Sequence, residues 1–394
     1  MSLDEDLSAD AALAALSWHY HNRMAVALEQ HRAGVPVVGF TSNTVPWELI
    51  RAAGFFPVLV SPLDGATPRA DEFMEPVFDS RIRRIFDGVL AGEWSFLKLL
   101  IVPRTSEPEY KLYLYLREVA RQRRGASSPP VYLYDLLHTR SVLSRRYGRE
   151  RTGELRRYLE ELGGRAITDE SFRAAVDEAN AARQAIRRLL RLRRIALGRS
   201  RPRLTGTEAM MAIGAGYFME RSEFARLAGD LAAGVAKRAP SAGPRLLVKG
   251  FPLDHANLHR TLEAHGAVVV AEDDWWGSRA AGRDLKYGSD PAAAVFSKYY
   301  LDAPSPRVFP PSDADRWFER EGRRGIDGVV FYHPPDDDVY GWDYPRQREF
   351  LDRHGIRSLR IREDCSRESV SQELHGTIES FLGEIAGRLN GNAA

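Results

Sequence analysis

The chain has 394 residues, 28% of them charged, and a formal net charge of +2, a composition typical of a globular protein with two α/β domains. So small a net charge predicts neither a nucleic-acid partner nor a membrane partner. No stretch approaches the roughly 18 apolar residues of a membrane-spanning helix, and the acidic start MSLDEDLSAD is unlike a secretory signal, so we expect a cytoplasmic protein. The single cysteine, Cys365, excludes an internal disulfide and a cysteine-rich metal site.

The first 139 residues alternate between short apolar runs and segments with helical spacing. An amphipathic helix is predicted from about Ala11 to Arg32. Strands are predicted at 35–40, 56–60, 97–102 and 131–134, with helices at 47–53, 80–91 and 109–122. Because short buried strands separated by helices form parallel sheets, residues 1–139 are predicted to be a doubly wound α/β domain with a leading helix.

Residues 140–240 contain no pattern typical of a strand and are predicted to be helical. One of these helices is predicted to be capped by Thr168 and to run past Arg194. The arginines between Arg183 and Arg203 resemble a nucleic-acid surface, but leucines are interleaved with them and no stacking aromatic residues accompany them. An ordinary arginine-rich helix is therefore the favoured interpretation.

The alternation resumes in residues 241–394, which are predicted to form the second domain. Strands are predicted at 245–249, 267–271, 328–332 and 358–361. A closing helix at 369–389 carries on one face Leu374, Ile378, Phe381, Leu382 and Ile385. The predicted fold class is α/β, with two doubly wound domains, each with a parallel four-stranded sheet, joined by a helical region.

Polar residues follow the predicted strands, and ligands of open α/β sheets bind at the carboxyl ends of the strands. We therefore expect the strand exits of the two domains to face each other across one pocket. The candidate substrate-binding residues are Ser42, Asn43, Glu48, Arg104, Asp273, Asp274, Arg279 and His333.

Several candidates have an ordinary structural interpretation beside the functional one. His333 with Asp336–Asp338 could bind a hard metal ion through carboxylate oxygens, but an acidic solvated turn is the favoured interpretation and no metal is predicted. Asp273 and Asp274 are either general acids or bases, or helix caps. Residues 42–44 either donate hydrogen bonds to a substrate carbonyl or cap a helix. The glycine-rich nucleotide motifs and the Gly-x-Ser-x-Gly motif are absent.

Five segments in chain order resemble the D-component subunits of 2-hydroxyacyl-CoA dehydratases and the related benzoyl-CoA reductase subunits. Val45–Val58 resembles the family's P-x-E-L-I-x-A-A-G-x-x-P-V, and Tyr158–Glu170 resembles its L-E-E-x-T-G-x-x-I-x-D-E. Leu204–Met210 is similar to the segment after its helical linker, and Glu263–Arg279 resembles its E-x-x-G-x-x-V-V-x-D-D-x-x-x-G-S-R. Asp327–Phe331, followed by Asp343–Pro345 and Gly355–Ile356, is similar to its last strand pair.

This resemblance implies a two-domain subunit that pairs with a related subunit and binds an acyl-CoA thioester in a cleft between domains. In the family, three cysteines hold a [4Fe–4S] cluster that receives one electron from an ATP-driven activator. The electron makes a ketyl radical, which allows a difficult elimination or ring reduction. We expect Arg279, Arg283 and Lys286 to bind the diphosphate of coenzyme A, because arginine suits bidentate phosphate contacts.

The sequence departs from the family at all three cysteine positions. The family's Cys-Ser-x-x-Arg segment begins here with Asp79, and its Pro-x-Thr-Cys-Asp segment has Ser106 in place of the cysteine. The third cysteine, which follows the Gly-Val-Val-Phe strand, is replaced at about Asp337. Iron–sulfur clusters are held by thiolates, and the oxygen ligands of aspartate and serine do not reproduce such a site.

Three hypotheses follow. The favoured one is a cluster-free subunit of a dehydratase- or reductase-like complex that contributes to acyl-CoA binding, with the [4Fe–4S] cluster expected only in a cysteine-bearing partner. Association is predicted to be a heterodimer with that partner, or self-association. In the second hypothesis Asp79, Ser106 and Asp337 form a new polar or metal site for non-redox acyl-CoA chemistry. In the third, the chain is a non-catalytic acyl-CoA-binding or regulatory protein.

Overall fold

The structure is a computed structural model. It describes residues 8–63, 65–104, 106–122, 128–137, 139, 141–193, 202–288, 290–301, 312–335, 337, 339–365 and 370–391. In these ranges, two four-stranded parallel sheets are joined by a helical region. The predicted α/β fold class is therefore confirmed.

The chain begins with two helices, α1 at Ala9–His21 and α2 at Ala25–Arg32. The prediction of one continuous helix is wrong at this point. The Asn22 side chain donates to the carbonyl of Trp18 at 2.8 Å and ends α1. The break turns Arg23 inward, where its guanidinium donates to the carbonyl of Ser61 at 2.8 Å.

The first sheet has the strand order β2-β1-β3-β4, with every pair parallel. Its strands are β1 at Val37–Phe40, β2 at Phe56–Leu59, β3 at Leu97–Pro103 and β4 at Val131–Tyr134. Its helices are α3 at Trp47–Ala52, α4 at Ser80–Leu90 and α5 at Glu107–Gln122, with a 3₁₀ turn at Ala70–Glu72. All four residues of β1 are buried. Gly39 is required there, because a Cβ would lie 2.6 Å from a methyl group of Leu97.

The helical region consists of α6 at Val142–Gly163, α7 at Asp169–Arg193, α8 at Gly206–Ala215 and α9 at Arg221–Val235. No strand occurs in the described part of residues 140–240, as predicted. The hydroxyl of Thr168 accepts a hydrogen bond from the backbone N–H of Ser171 at 3.1 Å and caps α7. The predicted extension of this helix past Arg194 lies outside the described residues. Arg183 and Arg193 face the interior, which leaves fewer arginines for a charged surface.

The second sheet has the order β6-β5-β7-β8, again parallel throughout. Its strands are β5 at Arg245–Gly250, β6 at Val268–Glu272, β7 at Gly328–Tyr332 and β8 at Arg357–Ile361. Its helices are α10 at Asn257–Ala264, α11 at Pro291–Leu301, α12 at Ser312–Gly322, α13 at Tyr344–Arg353 and α14 at Gln372–Gly391, with a 3₁₀ turn at Tyr340–Asp343. In both sheets the first and third strands lie side by side, and this switch in strand order creates a crevice at their carboxyl ends.

One continuous apolar core runs through both domains and the helical region. A smaller core that includes Leu247 and Phe331 covers the other face of the second sheet. The predicted apolar face of the closing helix is confirmed, because all five of its residues are buried. Among the described helices, none has the length and apolar character needed to cross a membrane.

Candidate functional site

The strand exits of the two domains face each other across a cavity of about 1070 Å³, which we call the interdomain cavity. The first sheet contributes Ser42 after β1 and Ser106 after β3. The second contributes Phe251 after β5, Trp275 after β6 and Asp337 after β7.

Asp79, Ser106 and Asp337, the three positions expected from the sequence to stand where the family has cysteines, all line this cavity. Each one also begins a helix or turn. Asp79 Oδ1 accepts from the N–H of Ile82 at 2.9 Å, and Ser106 Oγ accepts from the N–H of Glu109 at 3.4 Å. The Asp337 carboxylate accepts from three successive backbone N–H groups, of residues 339, 340 and 341, at 2.8 to 3.0 Å.

These side chains do not fit a [4Fe–4S] cluster. They supply hydroxyl and carboxylate oxygens, and those oxygens already accept backbone hydrogen bonds, whereas the cluster requires thiolates. Cys365 is fully buried beyond β8, and burial raises the pKa of its thiol to about 12. Within the ranges that the structure describes, no group of three or more His, Cys, Asp or Glu side chains has an arrangement suited to a metal ion.

A buried ion pair forms part of the cavity wall. The Arg81 guanidinium lies 3.5 Å from the Glu109 carboxylate and donates to the Thr41 carbonyl at 2.9 Å. The Thr41 hydroxyl in turn donates to Glu109 at 3.3 Å. Burial alone would lower the pKa of Arg81, but the carboxylates of Glu109 and Asp79 outweigh it and raise the pKa.

The lining of the interdomain cavity is acidic and aromatic. Its carboxylates are Glu75, Asp79, Glu109 and Asp337, against the two basic side chains Arg81 and Lys111. The rings of Phe251 and Tyr340 meet edge to face at 6.0 Å, and the Lys111 ammonium lies 5.2 Å from the ring centre of Phe78. This combination suits an apolar acyl group with polar substituents and opposes the entry of phosphate groups.

The Ser42 hydroxyl accepts from the backbone N–H of Thr44 at 3.3 Å, within a polar turn that ends before Pro46. Pro46, and not residues 42–44, occupies the cap position of α3. The Ser42 side chain lines the interdomain cavity.

A second cavity of about 640 Å³ lies beside the first, which we call the cationic cavity. Its basic lining residues are Arg183, Arg221, Arg279 and Lys298. The two cavities are separated by a wall in which Asn43 Nδ2 donates to the Tyr217 hydroxyl at 3.3 Å and that hydroxyl donates to the Trp275 carbonyl at 2.7 Å.

The predicted single pocket is therefore divided. Ser42, Asp79, Ser106 and Asp337 line the interdomain cavity, whereas Asn43 and Arg279 line the cationic cavity. Glu48 is fully buried behind the cationic cavity, where it accepts from the Tyr299 hydroxyl at 2.9 Å and pairs with Arg183.

Asp273 and Asp274 are buried in different environments. Asp273 pairs with both Lys249 and Arg279. Asp274 accepts from the N–H groups of residues 276 and 277 at 2.9 Å and thereby caps the turn that follows β6. Burial and the charge of Glu272 raise the pKa of Asp274 to about 7, against the effect of these backbone donors.

The remaining candidates line neither cavity. His333 is buried and accepts from Arg360 Nε at 3.1 Å, and burial lowers its pKa to about 4. Of its predicted companions, 336 and 338 lie outside the described residues. Arg104 is exposed over the ring of Tyr110, with its guanidinium 4.6 Å from the ring centre. Arg283 and Lys286 are exposed on the segment after β6.

The sequence reasoning missed Glu109 and Arg221. Glu109 had a usable signal, because Ser106-x-x-Glu109 is the spacing of a capping box and places both side chains at the start of one helix. Arg221 had none, because it begins α9 in a segment that is remote in sequence from every strand exit.

Two doubly wound domains with facing strand exits define a class of α/β proteins that bind ligands between domains. The sequence model of the family described as "2-hydroxyglutaryl-CoA dehydratase, D-component" matches residues 43–385. The chain therefore belongs to this family, as its motifs indicated.

Two curated relatives cover most of the chain. One is the beta subunit of (R)-2-hydroxyglutaryl-CoA dehydratase of Acidaminococcus fermentans, 22% identical over 353 residues, or 86% of this chain and 90% of the relative. The other is the beta subunit of (R)-phenyllactyl-CoA dehydratase of Clostridium sporogenes, 20% identical over 354 residues, with the same shares.

Proposed function

We propose that this protein is the cluster-free subunit of a complex related to the 2-hydroxyacyl-CoA dehydratases and benzoyl-CoA reductases, and that it binds the acyl end of an acyl-CoA in the interdomain cavity. One observation carries the proposal. Asp79, Ser106 and Asp337, which come from both domains and are expected to stand where the family has cysteines, line one cavity, and this supports a cluster-free version of the family's site.

The groups available in the cavity suit the binding and orientation of an acyl thioester. The hydroxyls of Ser42 and Ser106 line it and can donate to a carbonyl or hydroxyl oxygen. Phe78, Phe251 and Trp275 offer apolar surface for the acyl chain. The acidic lining favours a position outside the cavity for the phosphates of coenzyme A, where the exposed Arg283 and Lys286 remain candidates.

An exposed apolar rim supports association with a related subunit. Val77 lines the cavity with 64% of its surface exposed, and Trp342, in the 3₁₀ turn beside Asp337, is 84% exposed. Large exposed aromatic residues are concentrated at protein interfaces. A cysteine-bearing subunit seated on this rim would close the cavity and could place its own cluster against the acyl group.

The test is calorimetric titration of the full chain, together with a related cysteine-bearing subunit, with 2-hydroxyglutaryl-CoA, phenyllactyl-CoA and free coenzyme A. We expect at least one acyl-CoA to bind more tightly than free coenzyme A. The variant Lys111→Glu adds a negative charge to an already acidic lining and is expected to weaken that binding about tenfold or more, a free-energy change of ~1.4 kcal/mol.

Lys98→Glu is the matched control. Lys98 is exposed on β3, so this substitution makes the same change of charge away from both cavities. If Lys111→Glu and Lys98→Glu bound the acyl-CoA with equal affinity, the interdomain cavity would not be the acyl-CoA site. Absence of acyl-CoA binding by the complex would contradict the proposed function as a whole.

A further inference from the structure

The cationic cavity has a charge pattern opposite to that of the interdomain cavity. Among the residues that the structure describes, its lining contains four basic side chains and no aspartate or glutamate. Two carboxylates lie behind this lining. Glu48 pairs with Arg183, and Asp273 is shared between Arg279 and Lys249. The positive side chains around the cavity therefore outnumber the carboxylates that pair with them.

Arg221 is the clearest unbalanced charge. Its guanidinium lies 5.4 Å from the ring centres of both Trp47 and Tyr217, so aromatic faces hold it in position. Among the described residues, no carboxylate forms an ion pair with it. Burial, together with the nearby charge of Arg183, lowers the pKa of Arg221, and Tyr217, Tyr299 and the more distant Glu48 carboxylate do not make up for it.

Arg279 adds a donor that the protein does not satisfy. Its Nε binds Asp273 and its guanidinium lies 4.9 Å from the ring centre of Trp317, but its buried Nη2 has no hydrogen-bond partner. Buried donors in native proteins are generally paired, and an unpaired one calls for a ligand or an ion. Arg221 and Arg279 both line this cavity.

We propose that the cationic cavity is a binding site for a small organic oxyanion, whose phosphate or carboxylate group binds between Arg221 and Arg279. Phe40, Trp47 and Tyr299 line the same cavity and provide apolar surface for the rest of the molecule. The proposal is independent of acyl-group binding in the interdomain cavity, because anions that carry no acyl thioester test it.

The experiment is calorimetric titration of the full chain, at constant chloride concentration, with pyrophosphate, 3′,5′-ADP and malate. Pyrophosphate and 3′,5′-ADP represent phosphate ligands, the second being the nucleotide part of coenzyme A, and malate represents carboxylate ligands. We expect at least one to bind, and the probe that binds tightest assigns the ligand class. Binding that weakens as chloride is raised is expected of charge pairing.

Three variants locate the site. Arg221→Gln is expected to weaken binding at least tenfold. Arg221→Lys keeps the positive charge and the aliphatic stem over the rings, so it is expected to weaken binding less than Arg221→Gln does. Arg226→Gln is the matched control on the same helix, because Arg226 is half-exposed and pairs with Asp230 at 3.1 Å, and we expect no change. Circular dichroism shows whether each variant is folded. If Arg221→Gln does not fold, the affinity of Arg221→Lys is compared with that of Arg226→Gln instead.

Two outcomes would overturn the proposal. One is that none of the three probes binds the folded wild-type chain. The other is that a probe binds but the Arg221 and Arg226 variants bind it equally well. Acyl-CoA binding by the complex is measured separately, so failure here leaves the proposed function standing.

Discussion

Arg193, the last residue of α7, donates to the carboxylate of Glu272, the last residue of β6, at 2.9 Å, and both side chains are buried. The same guanidinium donates to the Val269 carbonyl at 2.8 Å, and His259 Nε2 lies 2.8 Å from Glu272. This network ties the helical region to the second sheet, just before the residues that enter the two cavities.

Removing one partner of this pair is expected to destabilise the protein strongly. Arg193→Met leaves the Glu272 carboxylate buried with only His259 beside it, and the loss of a buried partner costs about 3–5 kcal/mol. Urea unfolding should show this loss, and the double variant Arg193→Met with Glu272→Met should recover much of it, because two apolar side chains leave no buried charge. Arg146→Met, which breaks an exposed pair with Glu150, is the control with little expected change. Equal destabilisation by Arg193→Met and Arg146→Met would contradict a special role of the buried pair.

The raised pKa of Asp274, about 7, predicts a pH dependence of stability. An unfolded aspartate titrates near pH ~3.9, so between about pH 4 and pH 7 the folded state binds one more proton than the unfolded state. The contribution of Asp274 to stability is therefore expected to fall as the pH rises through this window, by up to about 4 kcal/mol, and to change no further above it. The lowered pKa values of His255 and His333 act in the opposite direction, because between about pH 4 and pH 6.5 the unfolded histidines bind more protons than the folded ones.

The measurement is urea unfolding at several pH values between 4 and 8. Asp274→Asn removes the Asp274 contribution and should make stability rise more steeply, or fall less steeply, with pH than in wild type, whereas Asp352→Asn, at an exposed position, should keep the wild-type slope. A slope that is the same in wild type and Asp274→Asn would assign the pH dependence to other groups.

The fold could be predicted because most strands are short apolar runs with buried side chains, such as Val37–Phe40, and each is followed by a helical pattern. The break between α1 and α2 could not, because it depends on a tertiary contact. Arg23 is buried only when Ser61 and Asp254, far away in the chain, supply its hydrogen-bond acceptors. Local spacing carries no information about such partners.

Part of the candidate site was predictable from the positions of the strands. Ser106 and Asp337 follow strands, and strand exits of doubly wound domains lie at the ligand-binding edge. The wall between the two cavities was not predictable, because Asn43 and Tyr217, which form it, are 174 residues apart and Tyr217 lies between two helices. The unpaired donor of Arg279 was hidden in the same way, since its charge partner Asp273 and its ring partner Trp317 are visible only in the folded structure.

Anaerobic reconstitution with iron and sulfide is expected to yield no stoichiometric [4Fe–4S] cluster in the wild-type chain, because the cavity supplies carboxylate and hydroxyl oxygens in place of thiolates. The triple variant Asp79→Cys, Ser106→Cys, Asp337→Cys restores three thiolates to one cavity and should gain a cluster signal. Mössbauer spectroscopy measures both, and Cys365→Ser is the control for iron held by the single native thiol. A stoichiometric cluster in the wild-type chain would overturn the cluster-free assignment.

The last prediction concerns the rim of the interdomain cavity. Trp342→Ser is expected to weaken association with a cysteine-bearing subunit about 30-fold or more, because a buried interfacial tryptophan contributes on the order of 2 kcal/mol. Val77→Ser, a smaller side chain on the same rim, should have a smaller effect in the same direction. Light scattering combined with sedimentation measures both.

Trp18→Ser is the matched control, since Trp18 is 52% exposed on α1 and lines neither cavity. Unchanged association of the Trp342 variant would place the interface elsewhere on the protein. A wild-type chain that stays monomeric with and without the cysteine-bearing subunit would contradict the partner itself. Self-association that Trp342→Ser abolishes would instead show that the same rim pairs two copies of this chain, so the position of the interface and the identity of the partner are tested separately.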